Sequence, residues 1–227
     1  GAGGSGLSAT STSVVSTRAA IDAAFWSAAR VTLAGSMMPA LSRSTISPVA
    51  ALRPFEPVSD STARTCTEPS SPALAARGRP YSLSDAAHAP EHCLEVELPF
   101  LQTALPGCRI VPMLFDDGAQ PERIAADLGE RLASDPHSIV VVSSDLSHYQ
   151  PYAQAQKVDR TFLDAVASGD VATAAKGQAC GLQPILCLMI LARQLGWTAH
   201  VLDYRNSGDT CGPRSEVVGY GSVIFVP

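Results

Sequence analysis

The stretch IVVVSSDLSHYQPY, residues 139–152, decides the fold of this chain. Its first four residues are β-branched and apolar, and polar residues follow them at once. A short continuous apolar run of this kind is typical of a strand that is buried on both faces of a sheet. We therefore predict a central strand at 139–144.

The sequence around this strand alternates between helix and strand patterns. The predicted helices cover 120–134, 152–169 and 181–196, and the other predicted strands cover 108–115, 198–208 and 217–226. This alternation predicts an α/β fold with a mostly parallel central sheet flanked by helices.

Residues 1–80 differ in composition from the rest of the chain. They contain 22 Ser plus Thr, seven Arg, no Lys, no His and only four carboxylates. Stretches such as 5–17 and 42–72 combine weak periodicity with frequent Pro and Ser, which favours loop or disorder over packed elements. We therefore divide the chain into an atypical N-terminal region, 1–80, and an α/β domain, 81–227.

The charge and hydropathy of the chain exclude two classes of partner. The 227 residues carry a formal net charge of −5 and only two lysines, so no basic stripe is available for nucleic acid or an anionic membrane. The longest apolar run, 184–192, is nine residues long, whereas a membrane span needs about 20. Six cysteines without a CxxC pair indicate reduced thiols and a cytoplasmic location.

Asp145 and His148 follow the predicted central strand within three positions of each other. In open α/β sheets functional groups lie beyond the carboxyl ends of the strands. A carboxylate beside a histidine can fix its tautomer and raise its basicity, which gives a general acid or base near neutral pH. The alternative is that Asp145 caps a turn and His148 lies on the surface.

A second cluster of chemistry-bearing residues occupies 86–100. His88 and His92 are four positions apart, as in a helical metal pair, but Pro90 between them disfavours a shared helical face. The acidic residues of this stretch are interpreted as a solvated face: Glu91, Glu95 and Glu97.

A third cluster, QACGLQPI at 178–185, places Cys180 just before a predicted apolar helix. The helix dipole stabilises a thiolate at this position, which makes it a candidate metal ligand or nucleophile. The alternative is that Cys180 is simply a small buried apolar residue.

Four motifs together resemble one family: EHCLEVELPFLQ, VVVSSDLSHY, ACGLQPI and YRNSGD followed by VVGYGSVIF. In this order and at this spacing they are similar to the Memo family, whose bacterial members are called AmmeMemoRadiSam system protein B. The resemblance covers residues 81–227. It implies a fold similar to class III extradiol ring-cleaving dioxygenases, with iron or copper held by two histidines and the cysteine of the CG motif.

The resemblance also implies roles for individual residues of this chain. Cys180 matches the metal-binding cysteine. His148 matches the histidine of the SSDxxH motif, which stands where the dioxygenases keep their acid/base residue, with Asp145 in the same motif. His92 matches a family histidine beside the same cleft.

The chain departs from the family upstream of the matching motifs. The two metal-binding histidines of the family lie in PHAGY-like and GPSH-like motifs, and residues 1–80 contain no histidine. The stretch 30–40 has the position of the second motif but offers Ser36, Met37 and Met38. Our hypothesis is that the N-terminal region is read in a shifted frame.

Three functions are compatible with these residues. The first is a Memo-family protein with a degenerate metal-dependent, dioxygenase-like oxidoreductase site of unknown substrate. The second is a non-catalytic protein that uses the same cleft to bind a small molecule or a partner protein. The third is a cysteine hydrolase, which requires Cys180 and His148 within hydrogen-bond reach.

Overall fold

The computed structural model describes residues 12–15, 31–35, 50–52, 66–67, 70–105, 107–135 and 137–227. Its strands are β1 (Thr12–Val15), β2 (Val31–Gly35), β3 (Ala50–Leu52), β4 (Cys66–Thr67), β5 (Tyr81–Leu83), β6 (Arg109–Phe115), β7 (Val140–Ser143), β8 (Thr198–Asn206) and β9 (Gly219–Val226). Its α-helices are α1 (Ser70–Ala76), α2 (Asp85–His88), α3 (Leu98–Ala104), α4 (Pro121–Ser134), α5 (Tyr152–Ser168), α6 (Val171–Ala174) and α7 (Leu182–Leu195).

The strands form one mixed sheet in the order β5-β3-β6-β2-β7-β1-β9-β8, and β4 pairs with β6 outside this path. The four strands β6, β2, β7 and β1 are parallel to their neighbours within this group. β9 pairs antiparallel with both β1 and β8. The α/β fold with a parallel centre is therefore confirmed, and antiparallel pairings lie on both sides of it, between β3 and β6 and between β1, β9 and β8.

The predicted central strand is confirmed as β7. It pairs with β2 on one side and with β1 on the other, and all four of its residues are buried. The predicted helices are also present, as α4, α5 and α7. Eight of the fourteen residues of α7 are buried, as expected for a helix that is apolar nearly all round.

The N-terminal region contributes strands that its composition did not indicate. β1 and β2 pair with β7, and β3 pairs with β5 and β6. The expectation of loop therefore does not hold for 12–15, 31–35 and 50–52, because neighbouring strands supply backbone hydrogen bonds that composition does not report. Ser36, Met37 and Met38 lie outside the described residues, and the division of the chain at residue 80 stays a prediction.

Among the described residues, no helix is long and apolar enough to cross a bilayer.

Candidate functional site

The loop that leaves β7 is fixed by hydrogen bonds to the start of β9. The backbone N–H of Leu146 donates to the carbonyl of Gly219 at 2.9 Å, and the N–H of Gly219 donates to the carbonyl of Ser147 at 2.9 Å. These bonds tie the loop after β7 to the first residue of β9. Asp145 and His148 are therefore held in defined positions at the carboxyl end of the central strand.

Asp159 of α5 supports the same loop from the protein interior. Its side chain is buried, Oδ1 accepts from the N–H of Ser147 at 2.9 Å, and Oδ2 accepts from the hydroxyl of Tyr204 at 2.8 Å. Gly219 lies so close that a Cβ there would be 1.9 Å from Oδ2. The glycine of the VVGYGS motif thus makes room for a buried carboxylate.

Asp159 is not among the predicted site residues, although its position in the sequence carries a signal. It lies on one stripe of α5 with Ala155, Phe162 and Val166, all of which are buried. A carboxylate is almost never fully buried unless it is paired. An acid within the apolar stripe of an amphipathic helix therefore indicates a buried hydrogen-bonded partner.

Cys180, which lies two residues before α7, is attached to the same loop from the other side. The N–H of Asp145 donates to the Cys180 sulfur at 3.1 Å, and the N–H of Cys180 donates to the carbonyl of Asp145 at 3.2 Å. The N–H of Gly181 donates to Ser144 Oγ at 2.8 Å. This two-way pairing places the thiol directly against the strand end.

The glycine of the CG motif, Gly181, lies where there is no space for a side chain. A Cβ at this position would lie 2.6 Å from the Cβ of Ser144 and 3.0 Å from the carbonyl oxygen of Ser143. Only glycine allows the start of α7 to approach the end of β7 so closely. The contact of Cys180 with the loop depends on that approach.

Three of the four predicted site residues form one group, which we call the Cys180 cluster: Asp145, His148 and Cys180. One candidate ligand atom of each lies within 4.8 Å of the others. The Nε2 atom of His148 is 3.6 Å from Oδ2 of Asp145, and their side chains are 24% and 19% exposed. The neighbouring Asp145 carboxylate raises the pKa of His148, and partial burial only partly opposes this effect.

The thiol of Cys180 does not have the properties of an activated nucleophile. Burial raises its pKa and outweighs the hydrogen bonds that it makes with the Asp145 N–H and with the Ser144 hydroxyl. Between the described side chains of Cys180 and His148 the structure has no hydrogen bond. The cysteine hydrolase hypothesis therefore loses its main structural requirement.

His92 is not part of the Cys180 cluster. Its side chain is exposed, and its backbone N–H donates to Glu91 Oε1 at 2.8 Å. The next residue, Cys93, is buried, and burial is the main reason why the pKa of its thiol is raised, with smaller contributions from Glu91 and Cys180. The segment that carries His92 thus approaches the cluster through Cys93.

The prediction that the acidic residues of 91–97 form a solvent-exposed face is wrong for two of the three. Glu91 and Glu97 are 5% and 1% exposed, whereas Glu95 is exposed. The physical reason is that this segment consists of turns before α3, so helical periodicity does not apply to it. Burial raises the pKa of Glu97 to about 7, although a hydrogen bond with Ser143 at the end of β7 lowers it in part.

The fold and this cluster define an α/β protein with a thiol, an imidazole and a carboxylate at the carboxyl end of its central strand. The family described as Memo-like protein matches residues 68–224, which include the whole cluster. The chain belongs to this family.

Curated relatives agree with this assignment. A MEMO1 family protein of Sulfolobus acidocaldarius is 36% identical over 153 residues, which cover 63% of this chain and 54% of the relative. A MEMO1 family protein of Methanobrevibacter smithii is 38% identical over 154 residues, which cover 62% of this chain and 53% of the relative. The matched part of the chain thus spans about half the length of these relatives.

Among solved structures, an uncharacterized protein from Escherichia coli K12 shows a weak likeness to this chain. The TM-score is 0.46 at 15% sequence identity, and the match covers 86% of this chain and 85% of the other.

The contact between Asp145 and His148 can be tested by NMR titration of the imidazole in protein treated with a chelator. Asp145→Asn should move the midpoint of the His148 titration to lower pH, because the carboxylate is the main cause of the raised pKa. Asp203→Asn, which removes an exposed carboxylate paired with Arg205, is the control and should leave the midpoint unchanged. An unchanged midpoint in Asp145→Asn would show that the 3.6 Å contact does not act on His148.

Proposed function

We propose that this chain is a Memo-family domain with a degenerate metal-dependent, dioxygenase-like oxidoreductase site. The observation that carries the proposal is the Cys180 cluster, whose three donor atoms lie within 4.8 Å of one another at the carboxyl end of β7. Because the chain spans about half the length of its curated relatives, the activity of the whole protein is part of this proposal. The substrate is unknown.

The donor set of the cluster fits a borderline-soft metal. Thiolate and imidazole ligands suit iron, copper and zinc. Metal–ligand bonds of about 2.0–2.3 Å place neighbouring donors about 3–4 Å apart, which small movements of these side chains can reach. Cys180 would be the thiolate ligand, and bound iron or copper would supply one-electron chemistry with dioxygen at this position.

His148 is the proposed acid/base residue of the site. The raised pKa and the adjacent Asp145 suit it to take up and return a proton near neutral pH. His92 is a second candidate for proton transfer, since the neighbouring Cys93 lies close enough to Cys180 for the two thiols to interact electrostatically.

Two features support the term degenerate. Residues 1–80 contain no histidine, so the imidazole ligands that the family resemblance implies have no counterpart. A metal at Nε2 of His148 must displace the proton that the Asp145 carboxylate favours there, since that carboxylate raises the pKa of His148. This competition should make metal binding weak.

The proposal predicts little metal in the purified chain. Elemental analysis by mass spectrometry should find far less than one iron, copper or zinc per chain. Cys180→Ser should lower titrated metal binding further, because a serine hydroxyl stays protonated at neutral pH. Cys211→Ser, which changes an exposed cysteine, is the matched control and should have no effect. A stoichiometric metal that is unaffected by Cys180→Ser would mean that the ligands are wrongly assigned.

The shifted-frame hypothesis has its own test in the encoding DNA. An alternative frame of the segment for residues 1–80 should encode PHAGY-like and GPSH-like stretches. Protein made with that frame should bind more metal than the present chain, because two imidazole ligands would join the thiolate. The hypothesis fails if neither alternative frame encodes such a stretch.

A non-catalytic binding protein is the second candidate function. It is favoured by the raised pKa of Cys180, which opposes thiolate formation in the metal-free chain. Such a protein would use the same cleft for a small molecule or a partner protein. Retention of ligand binding after Cys180→Ser and chelator treatment would favour this candidate over the metal-dependent one.

A further inference from the structure

A cavity of about 410 Å³ lies at the opposite end of the sheet from the Cys180 cluster. Phe225 of β9 lines it and pairs with Thr12, the first residue of β1, so the cavity is at the amino ends of the parallel strands. Ala192 and Arg193, near the end of α7, also line it. A helix rises 1.5 Å per residue, so α7 separates the cavity from Cys180 by roughly 20 Å.

One part of the cavity lining is apolar and aromatic, and the rest is polar and includes Ser168 and Thr198. Val166, Met189 and Phe225 form its floor and are each at most 3% exposed. Trp197 and Ala199 are half-buried and line its open side. Small-molecule sites of this kind typically have volumes of about 300–1,000 Å³ and mainly apolar linings.

The lining contains one charged residue, Arg193. It is exposed at the end of α7, and none of the cavity-lining residues in the described part of the chain is an Asp or Glu. Within the described ranges, no carboxylate forms an ion pair with Arg193. An unpaired guanidinium beside an apolar cavity favours an anionic group, and a carboxylate matches its planar donor geometry.

The end of α7 does not cancel this preference. Carbonyl groups at the end of α7 would repel an anion, but two of them are already capped. The carbonyl of Ala192 accepts from the N–H of Trp197 at 2.8 Å, and that of Arg193 accepts from the N–H of Gly196 at 3.4 Å. These caps reduce the negative potential that the end of α7 contributes beside Arg193.

We propose that this cavity is a second binding site, which takes a small carboxylate with a planar apolar body. The carboxylate pairs with Arg193, and the apolar body lies between Trp197 and the floor of Val166, Met189 and Phe225. The site is independent of the Cys180 cluster, and neither metal nor activity is needed to detect it.

Two matched probes test the site: 1-naphthoate and the uncharged 1-naphthalenemethanol. Backbone amide NMR of the full chain should show saturable shifts at 166–169 and 197–199 with naphthoate. The alcohol should bind at least about tenfold more weakly, because it lacks the charged hydrogen bonds to Arg193. No saturable shift with either probe, or equal affinity for both, would overturn the proposal.

Variants separate the two parts of the site. Arg193→Gln should reduce the affinity for naphthoate about tenfold or more and leave the affinity for the alcohol unchanged. The two probes should then bind with similar affinity. Ala167→Leu, which fills part of the cavity from α5, should weaken the binding of both probes. Lys176→Gln removes an exposed cation that does not line the cavity, and it should change the affinity for neither probe. If Arg193→Gln leaves the preference for naphthoate intact, Arg193 only stabilises the end of α7 and the proposal is wrong.

Discussion

Gly219→Ala should destabilise the folded chain by about 3–5 kcal/mol in denaturant unfolding. The added Cβ would lie 1.9 Å from Oδ2 of Asp159, a distance that side chains cannot tolerate. Relief of the clash must move the buried carboxylate away from Ser147 or from Tyr204. Overpacking costs about 1–3 kcal/mol, and loss of a hydrogen bond to a buried charged group adds about 1.5–3 kcal/mol.

A glycine-to-alanine substitution in α4, at Gly129, is the control, and its effect on stability should have the opposite sign. A Cβ at Gly129 would meet Leu191 Cδ1 at 3.6 Å, which is ordinary van der Waals contact. Gly129→Ala should therefore stabilise the chain by about 0.5–1 kcal/mol through helix propensity. The comparison thus distinguishes the general effect of replacing a glycine from the effect of the specific clash at Gly219.

A double-mutant cycle identifies Asp159 as the cause of the clash. In an Asp159→Ala background, Gly219→Ala should cost less than in the wild type, because the alanine at position 159 leaves room for the new Cβ. Additive costs would contradict this explanation. The cycle also tests whether Gly219 and Asp159 act together in holding the loop that carries Asp145 and His148.

Periodicity was sufficient to predict the longer helices and strands from residue 108 onward, but not the short elements β5, α2, α3 and α6. The continuous apolar run of β7 and the helical spacing in α5 predicted these elements within a few residues of their observed bounds. The short strands β1, β2 and β3 were not predicted, because they lie in Ser- and Thr-rich sequence without clear alternation. Strand formation there depends on pairing with partners distant in the sequence, which no local pattern reports.

The candidate site was predictable only where its residues are close in sequence or belong to a motif. Asp145 and His148 follow one strand, and the motif resemblance assigned Cys180, 35 residues after Asp145, to the same site. The burial of Glu97 could not be predicted, because Glu97 precedes α3 and follows no helical period. Its environment is set by the packing of α3 beneath β7, which is a tertiary property.

The buried carboxyl of Glu97 should make the stability of the chain fall as pH rises from about 4.3 to about 7. The pKa of Glu97 is about 7 in the folded state, mainly because of burial, whereas an unperturbed Glu has a pKa of about 4.3. Between these values the folded chain keeps a proton that the unfolded chain has released, so a rise in pH favours unfolding. The stabilisation is complete below about pH 4.3, is lost above about pH 7, and amounts to about 3 kcal/mol.

Glu97→Gln isolates this contribution from all other titrating groups. The amide is neutral at every pH and can keep the contact with Ser143, so the variant should gain about 3 kcal/mol relative to the wild type between pH 4.5 and 7.5. Glu95→Gln, an exposed neighbour in the same segment, is the matched control and should follow the wild-type curve. A constant difference between Glu97→Gln and the wild type across this range would mean that Glu97 stays ionised in the fold. The carboxylate would then need a cationic or hydrogen-bonding partner at Oε1, since an unpaired buried charge costs several kcal/mol.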